Sequence, residues 1–157
     1  MGIPIEKCDT APMAGREGML PRQRIEAECR RRGRPALAAG CIALLEGREA
    51  DDGLVLVLGG APAEYVLSGH EGGKEGYWPR VWAARGLLHA WDERATGAII
   101  QAATDDAWRV REMAARVVAR HRVDAALDAM ADLQDDERPR VRSAARRAIA
   151  ALAAGGS

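Results

Sequence analysis

Arginines recur at regular intervals in the second half of this chain, where each stands near the start of a predicted helix. The first three, 31 residues apart, are Arg80, Arg111 and Arg142, and three more stand close by, at Arg109, Arg138 and Arg140. A row of guanidinium groups can follow a phosphate backbone. Nucleic-acid binding is therefore one chemistry that the arginines allow.

A structural ladder is the competing interpretation of the same arginines. Asp105 stands shortly before Arg111, and Asp136 stands at the same distance before Arg142. Bonds between a carboxylate and a guanidinium are strong, so paired charges explain this spacing without a ligand. We expect Asp105–Arg111 and Asp136–Arg142 pairs, or the same acids paired with the arginine of the neighbouring repeat. Arg109, Arg138 and Arg140 are then freer to meet a partner.

The four tryptophans are concentrated in one short stretch, at positions 78, 82, 91 and 108. Trp78 and Trp108 stand at predicted helix starts beside arginines, where indole and guanidinium groups could stack on a base. Trp82 and Trp91 lie on an apolar helix stripe and are expected in the core. The candidate binding surface therefore comprises Trp78, Arg80, Trp108, Arg109, Arg138 and Arg140.

Catalytic and metal-binding patterns are not recognisable in the chain. Cys8, Cys29 and Cys41 are scattered and form no CxxC pair, and the three histidines share no metal-ligand spacing. The segment 69–75 resembles a phosphate-binding loop, but Glu75 stands where Ser or Thr is required. We expect no catalytic residue, no metal ion and no cofactor.

These residues are positioned by a repeat of 31 residues. Ala83, Ala114 and Ala145 follow the same step, and so do Arg85, Arg116 and Arg147. A fixed period of this length is typical of stacked copies of one supersecondary unit. Helix signals in this half predict helices at 79–91, 93–103, 108–121, 124–133 and 139–153.

Upstream of residue 70 the period is lost, although helix signals continue. Helices are predicted at 21–32, 35–46 and 62–68. Asp51 or Asp52 is expected to cap a short helix through the apolar run 54–58, for which a strand is the alternative. The glycine-rich segment 69–76 is predicted to be a loop inserted between two paired helices, and this insertion explains the lost register.

Composition favours closely packed helices. The chain has 157 residues, of which 48% are apolar, but it has no phenylalanine, and its 23 basic and 23 acidic residues cancel. We expect an irregular segment at 1–19 and one domain at 20–157. The longest apolar run is too short to span a bilayer, and the cysteine usage fits reduced thiols in a cytoplasm, so we predict a cytoplasmic protein without membrane contact.

Two segments of the chain share one motif. Residues 105–116 read DDAWRVREMAAR, and residues 136–147 read DERPRVRSAARR. The shared pattern is an Asp in a turn, then Val-Arg, then an Ala pair, and residues 77–88 are a looser copy. This pattern resembles the HEAT-like repeats first described in phycobilin lyases. The resemblance implies an all-α fold, an α-solenoid of antiparallel helix pairs with one helix of each pair on a concave face. Scaffolds, regulators, bilin lyases and a group of alkylpurine DNA glycosylases share this architecture.

We therefore expect a scaffold or regulator that binds another protein. The alternative is a nucleic-acid-binding relative, with or without base-excision activity, for which Asp92, Asp105 and Asp106 are the nearby acids. A ladder satisfied within the protein favours the first interpretation. Outward-facing guanidinium groups beside Trp78 and Trp108 favour the second.

Overall fold

The computed structural model describes residues 18–155. Most of the segment expected to be irregular, and Cys8 with it, lies outside this range. In the described part the chain forms nine α-helices, three short 3-10 segments and no strand. The helices are α1 Pro21–Arg32, α2 Arg34–Leu45, α3 Asp52–Gly59, α4 Ala61–Leu67, α5 Trp78–His89, α6 Thr96–Ala102, α7 Trp108–His121, α8 Leu127–Leu133 and α9 Pro139–Gly155. The all-α prediction is confirmed.

The helices begin and end close to the predicted positions, with two local differences. The predicted helices 93–103 and 124–133 each open with a 3-10 turn, Glu93–Ala95 and Asp124–Ala126, before the α-helix begins. In the first of these turns the Asp92 side chain accepts a hydrogen bond from the Arg94 backbone N–H at 2.9 Å. This bond satisfies a donor that the tight first turn leaves without a helical partner.

The apolar run at 54–58 is helical, as predicted, and it lies within α3. Asp51 accepts a hydrogen bond from the backbone N–H of Leu54 at 2.7 Å and so caps the helix. A capping carboxylate at this place fixes the helix start. The strand alternative for this segment is therefore wrong.

Three helices, α5, α7 and α9, lie side by side along one layer of the stack, and α6 and α8 pack against α7 and α9 respectively. Ala83, Ala114 and Ala145 are fully buried, one on each helix of this layer. A methyl side chain lets two helix backbones approach closely where a larger one would hold them apart. The predicted helix pairs and the burial of the alanine column are confirmed.

The first pair of the stack is interrupted by an insertion. Helix α2 packs extensively against α5, although α3, α4 and the segment His70–Glu75 intervene in sequence. Within that segment Glu71, Gly72 and Gly73 have positive φ values of 55°, 83° and 62°. The predicted loop 69–76 therefore forms tight 3-10 turns joined by left-handed residues, which the glycines favour.

Candidate functional site

Arginine and aspartate side chains join consecutive repeats at the starts of α5, α7 and α9. Arg80 donates from Nε to Asp105 Oδ2 at 2.7 Å and from Nη2 to Oδ1 at 3.1 Å. Arg111 holds Asp136 in the same two-bond geometry, at 2.7 and 3.2 Å. Each arginine thus binds the aspartate of the following repeat, the neighbour-repeat form of the ladder.

Pairing within one repeat takes a different form from the Asp105–Arg111 and Asp136–Arg142 ion pairs considered from the sequence. Arg111 Nη1 donates to the backbone carbonyl of Asp105 at 2.8 Å, and Arg142 Nη1 donates to the carbonyl of Asp136 at 2.7 Å. The carboxylates are turned away because each forms an Asx turn before the next helix, where it accepts from the backbone N–H two residues on, that of Ala107 or Arg138. The side chain of each aspartate therefore faces the preceding repeat.

The Arg111–Asp136 pair is less exposed to solvent than the Arg80–Asp105 pair. The side chains of Arg111 and Asp136 are 12% and 7% exposed, against 24% and 12% for Arg80 and Asp105. Burial opposes ionisation of Asp136, but the hydrogen bonds from Arg111 and the Arg138 backbone outweigh it, so the pKa of this carboxyl lies below its usual value. Arg80, considered from sequence as a surface candidate, is thus engaged in the ladder.

The remaining surface candidates form one group, which we call the Trp–Arg cluster. Its members are Trp78, Trp108, Arg109, Arg138 and Arg140. The guanidinium carbon of Arg109 lies 4.5 Å from the ring centroid of Trp108 and 5.4 Å from that of Trp78. Arg138 and Arg140 approach the Trp108 ring at 5.4 and 5.6 Å. Three guanidinium groups therefore surround one half-buried indole, which is a stabilising cation–π arrangement.

Arg140 is held by a second contact that the sequence analysis missed. Its guanidinium forms an ion pair with Glu112 at 3.1 Å, although the Arg140 side chain is 71% exposed and the Glu112 side chain only 12%. The two residues are 28 apart in sequence and lie on neighbouring helices, α9 and α7. The 31-residue spacing could have suggested this contact, since Glu112 stands one turn from Arg109 on the same face of α7.

A cleft of about 440 Å³ lies between the ladder and the Trp–Arg cluster. Its lining combines aromatic side chains, guanidinium groups and two exposed acids, and it includes Tyr77, Arg80, Asp106, Trp108, Arg138 and Glu137. Both charge signs are thus present at its mouth. Such a surface can accept a mixed polar and aromatic segment of a partner, and its acids disfavour a purely anionic ligand.

Cys41 is buried and His121 is packed against an aromatic ring. No group of three or more His, Cys, Asp or Glu side chains within residues 18–155 is arranged to hold a metal ion. Burial raises the pKa of the Cys41 thiol to about 12, which makes a reactive thiolate there unfavourable. His121 lies against Trp91, with ring centroids 5.2 Å apart, and its Nε2 contacts the Leu88 carbonyl at 2.8 Å, as a packing residue would.

Residues 75–150 match the family model for HEAT repeats. The match agrees with the all-α helical repeat fold of this segment. The segment contains α5 to α8, most of α9, the ladder and the whole Trp–Arg cluster. No curated protein and no solved structure matches the chain. None of the helices within residues 18–155 is long and apolar enough to cross a membrane.

Proposed function

We propose that this chain is a cytoplasmic HEAT-like scaffold or regulator that binds another protein through the Trp–Arg cluster and the adjoining cleft. The observation that carries the proposal is the ladder. Arg80 and Arg111, which a nucleic acid would need in its row of phosphate contacts, each make two hydrogen bonds to a carboxylate of the next repeat. Those arginines stabilise the stack and leave a mixed surface beside it.

The composition of that surface supports a protein partner. Tryptophan, tyrosine and arginine are the residue types that contribute most at protein interfaces. Trp78, Trp108 and Tyr77 are all partly exposed, and they are among only six aromatic residues of the chain. We also propose that the repeats are of the phycobilin-lyase type, on the Val-Arg and Ala-pair motifs; this concerns the repeat and implies no bilin chemistry.

Affinity capture from a native lysate tests the proposal. Wild-type protein, Trp108→Ala and the control Arg146→Ala are immobilised at equal density, and retained proteins are quantified with and without nuclease. We expect a protein retained by the wild type and by the control, lost with Trp108→Ala, and indifferent to nuclease. Retention that is equal for all three baits, or that nuclease abolishes, would contradict the proposal.

Nucleic-acid binding is the second candidate, and one observation favours it. Arg138 and Arg140 are exposed beside the Trp108 ring, as a site for stacked bases would require. If this candidate is right, Arg109→Ala and Arg140→Ala should each flatten the salt dependence of binding by about one unit. A glycosylase role has less support, because Arg80 binds the Asp105 carboxylate and Arg94 binds that of Asp92.

A further inference from the structure

A second row of arginines crosses the same helix layer, away from the Trp–Arg cluster. We call it the central row, and it consists of Arg85 on α5, Arg116 on α7 and Arg147 on α9, at intervals of 31 residues. Each stands seven residues after the corresponding member of the set Trp78, Arg109 and Arg140. Seven residues of helix rise about 10 Å and return to nearly the same face. The two rows therefore share one face of the layer.

None of the three arginines of this central row has an acidic partner among residues 18–155. Arg85 donates from Nη2 to the Leu58 carbonyl at 2.6 Å, while its buried Nε has no hydrogen-bond acceptor. Arg116 donates a weak hydrogen bond from Nη1 to the Met113 sulfur at 3.4 Å. Burial, together with the nearby charges of Arg24 and Arg116, lowers the pKa of Arg85. These surroundings favour an incoming anion.

The layer is poor in acids as a whole. Helices α5 and α9 contain none, and the single acid of α7 is Glu112, which pairs with Arg140. A shallow depression of about 300 Å³ lies beside Arg116 and Arg147, two of the three arginines of this row. Its lining is Leu88, Arg116, Ala119, Arg120, Ala144 and Arg147. Guanidinium groups thus border a floor of small apolar side chains.

We propose that the central row binds an acidic segment of a partner protein in extended conformation. This inference rests on the proposed function and names the chemistry of the partner. Packed helices lie about 8–10 Å apart. An extended chain in polyproline II conformation rises about 3.1 Å per residue and completes a turn in three residues, so every third side chain faces the layer and meets the next helix. Carboxylates at that spacing can each receive a guanidinium, while small apolar side chains between them cover the alanine floor.

A peptide fits this row better than a nucleic acid does. The depression contains no aromatic side chain on which a base could stack. The positive charge is also confined, because the neighbouring helix α8 exposes Asp128 and Asp132 and the chain has no net charge. A narrow basic strip on a chain without net charge suits a single thin acidic chain better than a wide polyanion.

Fluorescence anisotropy with synthetic peptides tests the inference. The probe is a labelled twelve-residue peptide with Glu at every third position and Ala or Val between. The matched peptide has the same composition with its Glu residues contiguous. Arg116→Ala and Arg147→Ala are the test variants. Arg146→Ala removes one exposed charge from another side of α9 and controls for net charge.

We expect the spaced peptide to bind more tightly than the contiguous one, with an affinity that falls as salt rises. Each test variant should weaken binding about three- to tenfold, and the control should leave it nearly unchanged. The inference is overturned if no saturable binding occurs, if Arg146→Ala weakens binding as much as the test variants, or if single-stranded DNA binds more tightly with the same sensitivity. Peptide failure alongside Trp108-dependent capture of a protein would overturn this inference and leave the proposed function standing.

Discussion

Arg111 connects two repeats through one side chain. Its Nε and Nη2 bind the Asp136 carboxylate, and its Nη1 binds the carbonyls of Asp105 and Asp106. The acceptors lie in the turn before α7 and in the Asx turn that Asp136 forms with Arg138 before α9. The side chain therefore holds the turn of its own repeat and the turn of the next at once, and its planar fork suits this role better than a lysine would.

Removing Arg111 tests the ladder at the scale of one residue. Arg111→Ala leaves the enclosed Asp136 carboxylate without its cation and two carbonyls without their donor. We expect the free energy of unfolding to fall by about 1–3 kcal/mol, measured by urea denaturation at neutral pH. Arg146→Ala, an exposed arginine outside the ladder, should change it by less than about 0.5 kcal/mol. If Arg111→Ala leaves the free energy of unfolding unchanged, the ladder does not stabilise the stack, and a role of Arg111 in binding is favoured instead.

Burial of Glu28 is a residue-scale feature that the sequence pattern did not indicate. Glu28 is completely buried on α1, and it accepts hydrogen bonds from Arg31 Nη2 and Arg32 Nε, both at 2.6 Å. Burial alone would raise its pKa, but the two arginines lower it to about 2. In sequence this cluster reads as an ordinary charged helix face, because the packing of α3 against α1 comes from outside the repeat period.

Glycine and alanine residues determine how closely two helices approach each other in this fold. Gly59, the last residue of α3, lies directly on the buried ring of Trp82 in α5. A Cβ added to Gly59 would come within 2.6 Å of that ring. The ring is rigid and enclosed, so it cannot move aside cheaply. The approach of the inserted helix α3 to the repeat layer therefore depends on this glycine.

Two glycine substitutions test that contact against a matched control. Gly59→Ala should lower the free energy of unfolding by about 1–3 kcal/mol because of the overpacking against Trp82. Gly97→Ala, in α6, meets no atom within 4 Å. It should raise stability by up to about 1 kcal/mol, since alanine favours the helix. Thermal unfolding of both variants provides the comparison, and a stabilised Gly59→Ala protein would show that α3 is packed differently.

The sequence predicted the packing of helices within the 31-residue repeats, but it did not predict which helices pack together upstream of them. The stripes of α7 and α9 and the alanine column follow directly from the 31-residue step, because helices that repeat a contact must repeat its residue types. Pairing of α2 with α5 across the insertion leaves no such trace. The ladder partners were harder to predict: Asp105 and Arg111 are near in sequence, but the Asx turn that Asp105 forms with Ala107 leaves its carboxylate facing Arg80.

At the scale of the whole molecule, charge is sorted by layer although it sums to zero. The layer of α5, α7 and α9 carries arginines on one face, while α8 exposes aspartates. Such sorting creates a directional field without a net one, and it can orient a partner of opposite pattern. Because Arg80 and Arg111 are paired with aspartates of the next repeat, their positive charges contribute little to attracting a phosphate backbone.

The central claim is that the Trp–Arg cluster and the adjoining cleft bind a protein. A gel-shift titration tests it most directly, with single-stranded and duplex DNA and RNA at low and at physiological salt. We predict only weak association at physiological salt, with a dissociation constant in the non-specific range of about 10⁻⁴ to 10⁻⁶ M. A tight complex whose affinity falls steeply with salt, and which Trp108→Ala weakens more for single strands than for duplex, would contradict the account and establish nucleic acid as the partner.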